Sequence, residues 1–492
     1  MTATAASARA GRLRSGATAG VGGAAIGLAA AFVVRVATGV PSLPEVVAER
    51  ITLVMPLVVF DALLGLLGPL AKPLLVVVIA VGVLIAGGVA GWLAARWLDS
   101  RRVAGIALTA LVGVAAVGLA GIIGATQTPT LVGAALGAVA LGVTYWRAYD
   151  PEATAPTPEA DANRRHLLQW GAIGLGLIVV GGAALRWLTS SSGRPTAGRL
   201  PTRITPNDVF YLISKNLVDP VVDGSTWRLE VGGLVEEELS LTLDDVRALP
   251  AVDQVQTLEC ISNEVGGHLI STAEWRGVRL RELLARARPS GDAVEVKLTA
   301  ADGYTESFPA ELVADDRVLL AYQMNGEPLP DKHGFPLRLL LPGRYGMKGP
   351  KWLTKIELVD TPYEGYWEQR GWSKEAIIKT MSRIDAPATS AELRRAATDV
   401  VELAGIAFSG ERGISRVELR IGEEDRWVQA SLEPAFSELA WQFWRYDWRP
   451  EPGTYEVAVR ATDGYGNLQD ARVAPTLPDG ASGYDGVRYT IG

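Results

Sequence analysis

One cysteine stands in the whole chain, Cys260 in the string "TLECISN", beside three histidines, His166, His268 and His333. A single thiol excludes an intrachain disulfide and any metal site built from several cysteines. A lone cysteine is most often a small buried core residue, so its neighbours must decide. Here "DQVQTLEC" reads as a strand that delivers Cys260 at its C-terminal end, with Gly266 and Gly267 just beyond. Such a glycine pair suits either a plain turn or a close approach of backbone to a bound group. Haem held between helices needs two axial ligands, usually histidines, and only His166 lies near an apolar run, so no haem is expected. A formal charge of −7 without a Lys/Arg-rich tract argues against nucleic acid as a partner.

The elements around these residues fall into two halves. Mean hydropathy is positive, and the apolar residues concentrate in the first ~190 positions as long charge-poor runs. Five runs suffice to cross ~30 Å of hydrocarbon at ~1.5 Å per residue: Gly16–Val34, Leu74–Ala95, Val103–Ala125, Thr130–Trp146 and Leu167–Trp187. A sixth, Ile51–Leu70, carries Asp61, Pro56 and Pro69. Counting it out places three basic clusters in the cytoplasm: Arg9/Arg12/Arg14, Arg96/Arg101/Arg102 and Arg147/Arg164/Arg165. Everything after Trp187 then lies outside the cytoplasm. The string "NRRHLLQWGAIGLGL" agrees, because it resembles a twin-arginine export signal placed inside the chain. Residues 1–188 are therefore expected to be a plasma-membrane anchor of about five helices. The runs lack paired intramembrane charges, which disfavours a transporter.

Residues 189–203, rich in Ser, Gly, Pro and Thr, are expected to be a linker. Strands and short helices then alternate: "TWRLEVGGL" as strand, "LTLDDVRALP" as helix with Thr242 near its N-cap, "GVRLRELLARA" as amphipathic helix. "AVEVKLTA", "DRVLLAYQM" and "PLRLLLP" are expected strands, which makes this segment α+β. From about 385 to 492 the alternation in "VVELAGIAFSG", "ISRVELRIG" and "GTYEVAVRATD" predicts a small β-sandwich.

The strings "ITPNDVFYL", "LTLDDVRALP", "TLECISN", "ISTAEWRGVRLRELL", "LLAYQMNGEPLPDKHGFPLRLLLPG" and "GMKGPKWLTKIEL" follow one another in the order and spacing of the sulfite-oxidase family. The resemblance covers about 204–371, and "WRYDWRPEPGTYEVAVRATDGYGNLQ" resembles that family's immunoglobulin-like dimerisation domain, 385–492. It implies an α-helical membrane domain, an α+β molybdopterin domain of the sulfite-oxidase type and an all-β immunoglobulin-like sandwich. It also implies an enzyme loaded with molybdenum-molybdopterin, in which Cys260 is the catalytic residue and the metal's protein ligand. A thiolate suits that role as a soft, anionic, covalent donor. The pterin ends in a phosphate, which calls for cations and backbone N–H groups. By family position His333, Arg338, Lys348, Gly349 and Lys351 hold the cofactor. Asp302, Phe210, Tyr211 and Lys215 complete the implied set.

Where the family binds a dianionic oxyanion with arginines and a tyrosine, this sequence departs. Ile213 and Lys215 stand in "LISKN", Glu264 and Val265 follow Asn263, and Trp372 takes the tyrosine position. Aliphatic and carboxylate groups remove bidentate anion binding, which only Lys215 and Arg370 offset. The expectation is two-electron oxygen-atom transfer on an S-oxide, an N-oxide or another small sulfur compound. The alternatives are a genuine sulfite oxidase and a catalytically idle scaffold of the same fold. Without a haem domain, electrons are expected to pass to a separate protein or a quinone, and the sandwich implies a homodimer.

Overall fold

The computed structural model describes residues 2–38, 42–54, 71–98, 100–122, 128–149, 200–216, 219–387, 400–422 and 426–491. They form two compact units, one of residues 1–190 with 215–220, the other of 191–214 with 221–492.

Among the described residues the first unit has five helices: α1 (Thr2–Thr38), α2 (Leu43–Val54), α3 (Ala71–Trp97), α4 (Arg101–Ile122) and α5 (Thr128–Ala148). Three stretches, Arg9–Arg35, Leu74–Trp97 and Thr130–Ala148, are long and apolar enough to cross a membrane. The expected span at 103–125 appears as α4, whose apolar run Arg102–Ala116 is shorter. The run at 167–187, the twin arginine, Asp61 and residues 55–70 lie outside the described residues. Helix α2 was not foreseen. Ser42 N and Oγ donate to Glu45 Oε2 at 2.7 and 2.8 Å, closing its first turn. Glycines spaced four apart set the packing of α1. Gly16 and Gly20 meet Gly91 and Gly87 of α3, and a Cβ on Gly27 would stand 2.9 Å from Gly137 O of α5. Small residues let two helix backbones approach closely. Val78, Ile85, Ile106 and Val114 on these helices stay exposed.

The second unit begins on a five-stranded sheet in the order β2-β1-β10-β5-β6, formed by β1 (Leu229–Gly233), β2 (Leu239–Leu241), β5 (Glu295–Ala300), β6 (Thr305–Pro309) and β10 (Leu353–Val359). Strands β1 and β10 run parallel and the other pairs antiparallel. Helices α6 (Leu243–Arg247) and α7 (Leu280–Ala287) lay Leu243, Val246, Leu283 and Leu284 into its core. Thr242 caps α6: its Oγ1 accepts from Asp245 N at 3.0 Å while its own N–H donates back to Asp245 Oδ2. The expected helix from Gly277 starts only at Leu280. The three residues before it end strand β4, because the chain there is paired on both sides.

A second sheet carries β3 (Ala251–Glu259), β4 (Ile270–Arg279), β7 (Leu319–Met324) and β8 (Glu327–Pro328), with β9 (Arg338–Leu340) on β7. The C-terminal part has two four-stranded antiparallel sheets: β11 (Met381–Ala386), β12 (Val401–Phe408), β16 (Gln442–Trp448) and β15 (Ser431–Leu432) in one. The other holds β14 (Trp427–Gln429), β13 (Ile414–Ile421), β17 (Gly453–Asp463) and β18 (Asp485–Ile491). Leu403, Trp444, Val417, Val459 and Tyr489 fill one core between them. Its first strand starts at Met381, ahead of the boundary expected at 385. The expected linker also ends early: Leu200 packs near Ile261 and Tyr345, and Arg203 pairs with Glu433 at 3.1 Å. Ser437 Oγ donates to Val255 O at 2.7 Å, and Trp441 N donates to Thr257 Oγ1 at 2.9 Å, which joins β3 to the segment before β16.

Candidate active site

Strand β3 ends one residue before Cys260, so the thiol stands on the turn that leaves the sheet. The loop closes on itself. Cys260 N donates to Leu269 O at 2.9 Å, Asn263 Nδ2 to Glu259 Oε1 at 2.9 Å, and Leu269 N to Asn263 Oδ1 at 2.9 Å. Gly266 has φ +71 and faces Asp485, so this pair serves the loop's own tight turn. The partly buried Sγ lies 3.0 Å from Ser262 Oγ. Burial pushes the thiol pKa up, Ser262 opposes that, and the Glu259 carboxyl adds to it. An unliganded Cys260 therefore favours the neutral thiol, and only a cation or metal would draw out the thiolate.

The aromatic pair and the cations assemble from three chain segments. Phe210 is 2% exposed, stacks on Tyr211 at 5.4 Å, and meets Trp275 and His333 edge-on at 5.8 and 5.4 Å. His333 Nε2 donates to Asn207 O at 2.8 Å, and burial drives its pKa down to about 3, so the ring is neutral. Arg338, on β9, is 5% exposed, stands over the Trp275 ring at 5.2 Å and donates to His333 O at 3.2 Å. Burial lowers its pKa to about 10, and its buried Nε has no hydrogen-bond partner among the described residues. Gly334, at φ +117, lets Lys351 and Arg338 draw together: a Cβ there would sit 3.0 Å from Lys351 Cβ and 3.2 Å from Arg338 Cβ. Lys351 donates to the Ile213 and Lys332 carbonyls at 3.2 and 3.1 Å. Tyr211 links this cluster to the thiol, since Gly346 without a side chain leaves room for the Tyr211 hydroxyl and for Glu259 O.

Other expected site residues lie apart. Asp302 accepts from Tyr304 N at 2.9 Å in the turn after β5, where Ala301 N reaches Trp352 O at 2.8 Å. Lys348 is 2% exposed and held between Glu306 and Glu368, with Glu306 Oε1 at 2.9 Å. Its charge is committed inside the protein. Gly349 packs against Leu339 O, where a Cβ would stand at 2.5 Å. Lys215 belongs to the first unit, and its Nζ donates to Asn216 Oδ1 at 2.8 Å. Arg370 stacks on Tyr366 at 3.7 Å and donates to its carbonyl. Trp372 packs in the cluster of Ile261 and Tyr345. Sequence reasoning missed Tyr345 and Glu259. Both feel or exert charge at Cys260, and burial raises Glu259 to about 7. The glutamate adjoins the cysteine in sequence, but its inward orientation comes only from the fold.

A molybdopterin fits this set. An unpartnered buried guanidinium nitrogen, a lysine and close-packed glycine backbone suit an anionic, planar ligand, and one thiol remains for the metal. Residues 216–367 match the family model described as "Oxidoreductase molybdopterin binding domain". The uncharacterized oxidoreductase YuiH of Bacillus subtilis is 32% identical over 176 residues, which span 36% of this chain and 87% of YuiH. The chain belongs to the sulfite-oxidase family of molybdopterin-dependent oxidoreductases. Chicken sulfite oxidase is 30% identical over 333 residues, covering 58% of this chain and 72% of that protein. Human mitochondrial sulfite oxidase is 31% identical over 319 residues, 55% of this chain and 58% of its own length. The chain thus spans somewhat over half of the mammalian sulfite oxidases it matches. The sulfane dehydrogenase SoxCD of Paracoccus pantotrophus shares the fold, with TM-score 0.53 and 24% identity over 59% of this chain and 82% of that one.

Proposed function

We propose that this sulfite-oxidase-family chain is a membrane-anchored enzyme that moves an oxygen atom to or from a small uncharged sulfur or nitrogen compound. In the reductive direction R₂SO + 2e⁻ + 2H⁺ → R₂S + H₂O, with a quinol or a separate electron-transfer protein supplying the electrons. Molybdenum-molybdopterin supplies the two-electron centre when bound. Cys260 is its protein ligand, Arg338 and Lys351 hold the pterin's anionic end, His333 fixes the Arg338 guanidinium through its backbone carbonyl, and Phe210 and Tyr211 bound the pterin's plane. Lys348 serves as an internal counter-charge, and Asp302 shapes the turn beside Trp352. Residues 1–188 anchor the chain in the plasma membrane and 204–371 bind the cofactor outside the cytoplasm. The two-sheet part, from Met381 onward, is read as immunoglobulin-like and as the dimer contact.

The observation that carries the substrate reading is the loop after Cys260. Glu264 and Val265 are exposed there, Arg383 against the loop is held by Gly267 O and Asp385, and Arg370 stands on Tyr366. An oxyanion would meet no guanidinium from that loop, whereas an uncharged oxide needs none. Sulfite oxidation is the second reading, favoured by the relatives' activity. Molybdenum analysis of purified full chain, with a screen of S-oxides, N-oxides and sulfite, tests both. Cys260→Ser should keep the circular dichroism spectrum and lose turnover. Wild-type rates in that variant would remove Cys260 from the site, and metal-free wild-type protein would indicate an idle scaffold.

A further inference from the structure

The chain on both sides of Cys260 is tied to the C-terminal sheets. Upstream, Ser437 Oγ donates to Val255 O at 2.7 Å, Thr257 N donates to Leu439 O at 2.9 Å, and Trp441 N donates to Thr257 Oγ1 at 2.9 Å. Downstream, Arg383 on β11 reaches back across 116 positions, and its NH1 donates to Gly267 O at 2.6 Å. From that residue to the cysteine the hydrogen bonds are continuous. Gly267 N donates to Glu264 O at 2.8 Å, Leu269 N to Asn263 Oδ1 at 2.9 Å, Asn263 N to Cys260 O at 2.9 Å and Cys260 N to Leu269 O at 2.9 Å. Gly266 is pressed against β18: a Cβ there would stand 2.5 Å from Asp485 Oδ1, while Asp485 Oδ2 accepts from Ile384 N at 2.9 Å.

Arg383 is 3% exposed, and its charge is matched within its own strand, where Nε donates to Asp385 Oδ1 at 2.8 Å. That pair needs no loop. The guanidinium is planar and rigid, so pairing one edge with Asp385 fixes where NH1 points. It points at the Gly267 carbonyl, in the cysteine's own loop. A glycine pair is the freest backbone a chain offers, so a donor from outside restrains what the pair itself does not. Such restraint matters at a ligand, because displacement of about 1 Å at a reacting centre costs about a hundredfold in rate.

We propose that Arg383 is a positioning residue for the molybdenum reaction: acting through the Gly267 carbonyl, it fixes the loop that aims Cys260 Sγ at the metal. This rests on Cys260 as the protein ligand. The test combines Arg383→Met with Asp385→Leu in molybdenum-loaded full chain in lipid nanodiscs, since a buried ion pair replaced whole by apolar groups of similar volume leaves the fold standing. Deuterium exchange of the peptide 260–269 should quicken roughly ten- to hundredfold, the worth of one charge-assisted hydrogen bond, with the β1–β10 sheet unchanged. The electron paramagnetic resonance spectrum of the one-electron-reduced metal should shift its g values, and kcat should fall by about tenfold or more with KM nearly unchanged. Arg383→Lys, which keeps the charge beside Asp385 but not the fork, should move exchange and spectrum in the same direction. Arg460→Met, which breaks a pair with Glu418 elsewhere in these sheets, should move neither. Unchanged exchange at 260–269, or an unmoved spectrum with metal retained, overturns the positioning role, as does an equal shift in Arg460→Met. A wild-type spectrum in Cys260→Ser removes the ligand reading and the proposal with it. An altered Cys260→Ser spectrum beside an unmoved Arg383→Met/Asp385→Leu spectrum overturns the positioning role alone.

Discussion

Removing the charge of Lys348 should destabilise the second unit far more than removing any surface lysine. Its ammonium is 2% exposed and donates to Glu306 Oε1 and Ser307 O, both at 2.9 Å, and to Glu368. Tyr304, Ser307 N and Gly365 N complete the shell around the two carboxylates. Lys348→Met keeps most of the stem's volume but leaves two buried carboxylates facing each other. Breaking a buried pair by removing one partner costs about 3–5 kcal/mol. Lys355→Met is the control: that lysine is 45% exposed beside Glu357, and such a pair is worth about 0–1 kcal/mol. Denaturant unfolding of full chain in nanodiscs, followed by tryptophan fluorescence, measures both. The pH dependence supplies a second check. Burial raises the Glu306 pKa in the folded protein above its unfolded value, so the folded state keeps its proton to higher pH. Its contribution to stability is therefore fully present below the unfolded carboxylate range and is lost as pH rises through the raised folded value. Without Lys348 the carboxylates are harder still to ionise, so the variant's deficit should shrink between pH 8 and pH 5. A deficit no larger than that of Lys355→Met, or one that grows on acidification, would refute the reasoning.

Sulfite should be a poor substrate. Two charge-assisted hydrogen bonds absent at Ile213 and Val265, at roughly 1.5–3 kcal/mol each, amount to ~3–6 kcal/mol, or two to four decades in kcat/KM against an oxide. Sulfite as the best substrate by a wide margin would overturn the uncharged-oxide reading. Protease added to intact spheroplasts should release a fragment of ~30 kDa, from roughly 300 residues beyond the last expected span; complete protection until lysis would reverse the topology. Gly20→Leu, which drives a side chain into the Gly87 carbonyl of α3, should lower the yield of folded full chain while Gly82→Leu, with open space around it, should not.

Much of the α+β and all-β character was legible in the chain itself, because apolar alternation, turn residues and a capping threonine are local signals. Thr242, the runs that became α3 and α5, and the strand leading to Cys260 appear where their sequences place them. The ordered strings around Cys260, His333 and Lys351 also pointed to the family, since spacing survives where identity does not. Element ends were less legible. Gly277–Arg279 carry a helical pattern yet remain in β4, because hydrogen bonds to Ala251–Val252 on one side and Leu319–Ala321 on the other outweigh propensity. The use of each charge was the least legible of all. Lys348 and Lys351 are three residues apart in one basic string, but Lys348 is enclosed by Glu306 and Glu368 while Lys351 stands beside Gly334 and Arg338. Residue type and spacing thus determined which groups the chain offers. Long-range packing decided which of them are buried, neutralised or left exposed, because desolvation and pairing depend on neighbours that the local sequence does not contain.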